Sequence, residues 1–93
     1  MAENPLPGDV GTVARVSGQK DADGSLERLG EAVRAARKAR ALSQEALADA
    51  AGIDRSHMGK IERGERNVTL LNIVRIAKAM GCKPSDLLAS AGL

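Results

Sequence analysis

Three times between residues 42 and 73 the chain repeats one local pattern. An apolar residue precedes a good helix N-cap, and a second apolar residue stands five positions after the first: Leu42–Ser43–…–Leu47, Ile53–Asp54–…–Met58 and Val68–Thr69–…–Ile73. This is the hydrophobic staple, in which the residue before the cap closes on one across the first helical turn. A fourth start, Cys82–Lys83–Pro84–…–Leu87, has a poor cap in Lys83 but places proline where a missing N–H costs nothing. Gly52, Gly64, Gly81 and Gly92 stand where these helices should stop. Upstream, Leu26, Leu29, Val33 and Ala36 recur at three- and four-residue steps and mark an amphipathic helix. The pattern predicts an all-α domain of five helices, at 26–40, 44–51, 55–63, 70–80 and 84–91.

The core of such a domain must be aliphatic, because the 93 residues include no Phe, Tyr or Trp. That absence removes a stacking platform for single-stranded bases, an aromatic cage for quaternary ammonium ligands and an aromatic belt for a membrane interface. One cysteine, Cys82, and one histidine, His57, cannot build a structural zinc site, and neither metal nor cofactor is expected. The sequence has no membrane-length apolar run and no signal-peptide core, so a cytoplasmic protein is expected. Residues 1–24 hold two of the three prolines and four of the ten glycines. They read as a flexible arm, with Thr12–Val16 able to form a strand only if it finds a partner, ahead of a domain at 25–93. The formal charge of +2 is unevenly placed. The arm is net acidic, while residues 25–93 carry 12 basic and 8 acidic side chains, which suits a polyanionic partner.

Between Gln44 and Ile61 two helices meet across a tight turn. Ala48 gives the small side chain their crossing needs, Gly52 makes the turn, and Leu47, Met58 and Ile61 form the shared core. These are the mechanical requirements of a helix-turn-helix. The segment LSQEALADAAGIDRSHMGKIERGER, set within residues 29–88, resembles the lambdoid repressor and Cro type of helix-turn-helix domain, also called the xenobiotic-response-element family. Met58 departs from the family's usual Ile or Val, but a flexible side chain fills that volume. The DRS and ERGERN portions look like controller proteins of restriction–modification systems.

With Met58 and Ile61 turned inward, Ser56, Lys60 and Arg63 point outward, and Arg55 reaches the same surface. The resemblance implies that this helix enters the major groove of double-stranded DNA, with Arg55, Ser56 and Lys60 at the base-reading positions. Gly59 would offer a bare backbone for close approach to DNA. A phosphate contact is implied at Gln44, with Arg40, Ser43, Arg63, Arg66 and Asn67 as its neighbours on the DNA backbone. Arg37 and Glu62 lie on the apolar stripes of the first and third helices, so they should meet as a structural salt bridge, at least partly buried. His57 reads as a peripheral or phosphate-facing residue, and Cys82 as a small core residue.

Leu87, Leu88 and Leu93 are read as either a flap over the core or a dimer surface, and the dimer reading is preferred because one small domain reads too few base pairs. The expectation is a homodimeric transcription regulator of the autoregulatory controller or repressor type on a two-fold operator, associated with the nucleoid. The alternative is an antitoxin or protein-interaction adaptor that uses the same fold to hold a protein partner. Nothing in the sequence points to an enzyme: His57 has no nucleophile or second histidine at catalytic spacing.

Overall fold

A computed structural model describes residues 21–93, which form five helices and no strand. Residues 1–20, with the candidate strand Thr12–Val16 and most of the arm, lie outside the described residues. The helices are α1 (Ser25–Ala39), α2 (Gln44–Ala51), α3 (Arg55–Glu62), α4 (Leu70–Met80) and α5 (Pro84–Ser90).

The starts of the helices show how local chemistry sets their boundaries. Ser43 accepts a hydrogen bond from the N–H of Ala46 at 3.0 Å, and Thr69 accepts one from Asn72 at 3.1 Å. Each satisfies a donor that the first helical turn leaves without a partner. At α5 the cap comes from inside the helix: the carboxylate of Asp86 accepts from the N–H of Lys83 at 3.0 Å. The start of α1 reaches into the segment that the sequence assigns to the arm. Asp21 accepts from the N–H of Leu26 at 2.9 Å and of Glu27 at 3.3 Å, so residues 21–24 form the turn that begins the helix. Helices α2 and α4 end on Gly52 and Gly81 at φ 70° and 73°, the left-handed region that glycine enters without steric cost. Just past α1, Ala41 takes that same conformation with φ 57°.

Packing follows the staples. α1 lies against α3 and α5, and α2 against α3 and α4. Leu47, Met58, Ile76 and Val33 are the largest side chains closed off completely, and Leu42, Val68, Ile73 and Cys82 pack against this centre. The crossing of α1 and α3 is closer than side chains allow. A Cβ on Gly30 would lie 2.5 Å from the carbonyl oxygen of Glu62 and 2.6 Å from that of Ile61. Backbone therefore packs on backbone at this point.

One sequence expectation changes. Leu87 is buried with 2% of its surface exposed, so it belongs to the core and not to a dimer surface. It stands at the far end of the fourth staple pattern, and it joins the core against which Cys82 also packs. Leu88 is half-buried against the core, and Leu93 alone of the three is strongly exposed. The exposed large apolar side chains lie instead mostly on α4, at Leu70, Leu71 and Val74.

Gly30→Ala should lower stability by about 2–3 kcal/mol, since the obstructing atoms are backbone and cannot turn aside. Far-UV circular dichroism should show a melting temperature lower by roughly 10–20 °C. An unchanged melt would show that α1 and α3 are not packed this tightly.

Candidate nucleic-acid interface

The inner and outer faces of α3 do different work. Met58, Gly59, Ile61 and Glu62 are buried, and Arg55, Ser56, Lys60 and Arg63 lie toward solvent along one shallow groove. Gln44, at the start of α2, lines the same groove. The turn between the helices is closed by Ile53, whose N–H donates to the carbonyl of Ala48 at 2.9 Å.

Beneath the groove, Glu62 joins three helices. Its Oε2 accepts from Arg37 Nε at 2.7 Å, and its Oε1 accepts from Arg37 Nη2 at 3.0 Å and from Gln44 Nε2 at 2.9 Å. Arg37 Nη1 donates in addition to the carbonyl of Leu42 at 2.9 Å. A two-pronged guanidinium on a carboxylate is the strongest common geometry for such a pair. The Glu62 carboxylate raises the pKa of Arg37 further, chiefly through the hydrogen bond. Arg34 approaches the same carboxylate at 3.8 Å from an exposed position and adds little.

On the outer face Arg55, Ser56 and Arg63 each have an acidic neighbour. Arg55 Nη1 lies 3.6 Å from Glu45, and Arg63 Nε donates to Glu65 at 3.0 Å, with both members of each pair more than half exposed. The Ser56 hydroxyl donates to Asp54 Oδ2 at 2.6 Å. That bond, helped by nearby N–H groups of α3, holds the Asp54 carboxyl below the usual range, and Arg63 does the same for Glu65. Exposed pairs of this kind are worth at most about 1 kcal/mol, so an arriving anion breaks them at little cost. None of the three carboxylates was read from the sequence as part of the surface. The signal was there in the acid–base spacing of Asp54–Arg55–Ser56 and Arg63–Gly64–Glu65.

The expected backbone contacts do not all meet here. Ser43 keeps its hydroxyl proton to donate, since its oxygen is the acceptor in the α2 cap. The Gln44 side chain is spent on Glu62, which leaves its backbone N–H, at the first position of α2, to face an anion. Arg66 and Asn67 are exposed on a second depression, shared with the half-buried His57 and with Asn72. His57 Nε2 is 3.5 Å from Asn72 Nδ2. Arg40 is tied elsewhere: its Nε donates to the carbonyl of Met80 at 2.8 Å, which pins the end of α1 to the end of α4. Its charge is drawn there by the unsatisfied carbonyls of a helix C-terminus. Gly59 does not present bare backbone, because Arg63 and Gln44 side chains lie over it, 3.3 and 3.5 Å from where a Cβ would stand.

Two short helices across a glycine turn, with one basic face and one face locked into the core, define a helix-turn-helix domain. The chain belongs to the helix-turn-helix family, whose model matches residues 33–87. It is 45% identical over 67 residues to the control protein C.SmaI of Serratia marcescens, covering 72% of this chain and 80% of that one. It is 47% identical over 61 residues to the control protein C.BamHI of Bacillus amyloliquefaciens, covering 64% and 75% of the two chains. The crystal structure of the restriction–modification controller protein C.AhdI from Aeromonas hydrophila superposes with a TM-score of 0.67 at 47% identity, over 71% of this chain and 97% of that one. Among the described residues no helix is long and apolar enough to cross a membrane.

Glu62→Gln leaves Arg37 buried without its counter-charge and should cost about 3–5 kcal/mol. Chemical denaturation followed by circular dichroism would place its midpoint well below the parent's, and equal midpoints would contradict the role given to this pair. Replacing both members by apolar residues of similar volume should recover most of the loss.

Proposed function

We propose that this chain is a sequence-specific regulator of transcription of the restriction–modification controller type, acting on double-stranded DNA. The observation that carries this is the outer face of α3, where Arg55, Ser56, Lys60 and Arg63 line one groove. The controller proteins named above support the same reading. Arg55 and Lys60 suit the acceptor edges of guanine, and Ser56 lies beside them in the same groove. Ser43, the N-terminus of α2, Arg63, Arg66 and Asn67 supply contacts to phosphates on either side. Such contacts fix the register and make affinity fall with salt. Arg40 is left out of this set because its guanidinium caps α4. The reading places the protein on the nucleoid, in the cytoplasm, and gives it an autoregulatory role at its own promoter.

The regulator works as a homodimer on a two-fold operator, with the two copies of α3 in successive major grooves about 34 Å apart. We assign the dimer surface to the outer face of α4. Leu70, Leu71 and Val74 are there 69%, 63% and 38% exposed. Apolar side chains grouped in this way are unusual on a chain that stays alone.

A mobility-shift titration on the DNA upstream of its own coding sequence, run across a salt series, tests the DNA reading. Specific binding is expected at low salt. Arg55→Ala should lose about 1–3 kcal/mol of discrimination and keep most of the salt slope. If no duplex is preferred over random sequence, the reading fails and a protein-binding role for the fold takes its place.

Sedimentation of the parent and of Leu71→Glu tests the assembly. The parent should sediment as a dimer and the variant as a folded monomer with sharply weaker operator binding. A parent that is monomeric both free and on DNA would remove the dimer.

A further inference from the structure

Asp54 holds the N-cap position of α3 but does not make the side-chain bond that Ser43 and Thr69 make at theirs. Ser43 and Thr69 each accept from a backbone N–H of the helix they start. The Asp54 side chain makes no cap hydrogen bond and takes the proton of the Ser56 hydroxyl instead, at 2.6 Å. Its position is also electrostatically unexpected. It lies in the groove with Arg55, Lys60 and Arg63, on the face where phosphates would approach, and there a carboxylate repels them. The N-terminus of α3 tolerates a negative charge there, and its N–H groups help keep the carboxyl ionised, but phosphate binding does not call for a carboxylate at this point.

Hydrogen-bond arithmetic suggests what it does. An ionised carboxylate only accepts. Its hydrogen bond with Ser56 favours that ionised state. Ser56 has one hydroxyl proton, and it is already committed to Asp54, so both side chains present lone pairs outward. Two neighbouring acceptors reject guanine N7 and O6 and thymine O4, which are acceptors themselves. They match the two donors on the major-groove edge, the N4 amino group of cytosine and the N6 amino group of adenine. Arg55, next in sequence and only a donor, has the opposite requirement. On a C·G pair the two demands are met together, the amino group on one strand and the guanine acceptors on the other.

We propose that Asp54, held by Ser56, is a specificity-determining residue that reads an exocyclic amino group, cytosine N4 or adenine N6, in the major groove. The proposal rests on the reading of α3 as the base-contacting helix. It carries a further consequence. In a duplex, methylation of either amino group uses up the hydrogen that points into the groove, because the other one is held in the base pair. Binding to the operator is then sensitive to N4-methylcytosine or N6-methyladenine at this one position.

The experiment selects bound sites from random duplex DNA with the full chain and with Asp54→Ala, and then titrates both proteins against the selected site with its amino group methylated. The parent should select a motif in which one position per half-site is held as cytosine or adenine. Asp54→Ala should lose preference at that position and keep the others. Methylation there should weaken the parent on the order of tenfold and leave the variant unchanged. Which methylated base has the effect identifies cytosine or adenine as the partner. If Asp54→Ala selects the parent's motif unaltered, or the parent binds the methylated site undiminished, the proposal is overturned while the DNA reading stands. If the parent selects no motif, the DNA reading fails and the proposal with it. Should Asp54→Ala prove unfolded by circular dichroism, Asp54→Gly carries the same test, since glycine is well tolerated at an N-cap.

Discussion

The carboxylate of Glu62 is the point on which the rest of the molecule depends. It is buried near the end of α3 and bound by Arg37 from α1 and Gln44 from α2. A charge in that place is tolerable only if its oxygens are bonded, and three donors on two other helices bond them. The orientation of the whole helix-turn-helix relative to α1 is therefore set by one polar group. Gly30 completes the arrangement, because only a residue without a side chain lets α1 come near enough for Arg37 to reach. Close backbone packing and the ion pair each require the other.

This explains why a domain with no aromatic ring still has a defined geometry. Aliphatic side chains such as Leu47, Met58, Val33 and Ile76 fill the centre and supply burial, but burial is nearly without direction. Direction comes from hydrogen bonds that join helices: Arg37 to Glu62, Gln44 to Glu62, and Arg40 to the last carbonyl of α4. The basic side chains around the helix-turn-helix thus serve two ends. Arg37 and Arg40 are consumed in building, and Arg55, Lys60, Arg63 and Arg66 remain on the outside.

Much of this is legible in the sequence where the cause is local. Caps, staples and terminal glycines act within five residues, and they place the ends of α2 and α4 to the residue. The meeting of Arg37 and Glu62 is legible for a different reason, since a charge on an apolar stripe needs an opposite charge facing it. What escapes is set by contacts at a distance. Arg40 bonds to Met80 across 40 residues, and no spacing rule anticipates that. Leu87 and Leu88 sit on a helix of seven residues, too short for its periodicity to separate inside from outside. Asp54 stands at the cap position, yet its shortest hydrogen bond is with the hydroxyl two residues on, which no capping rule anticipates.

Helices α2 and α3 have eight residues each, about two turns. Helices that short do not persist in water without a partner surface. The outward groove consequently has no existence apart from the folded domain, and genetic variation in this chain separates into two kinds. On the function proposed above, a change in the core alters how many competent molecules a cell holds and leaves their sequence preference as it was. A change on the outer face of α3 would on the same reading redirect them and leave their number alone, so dosage and address vary independently.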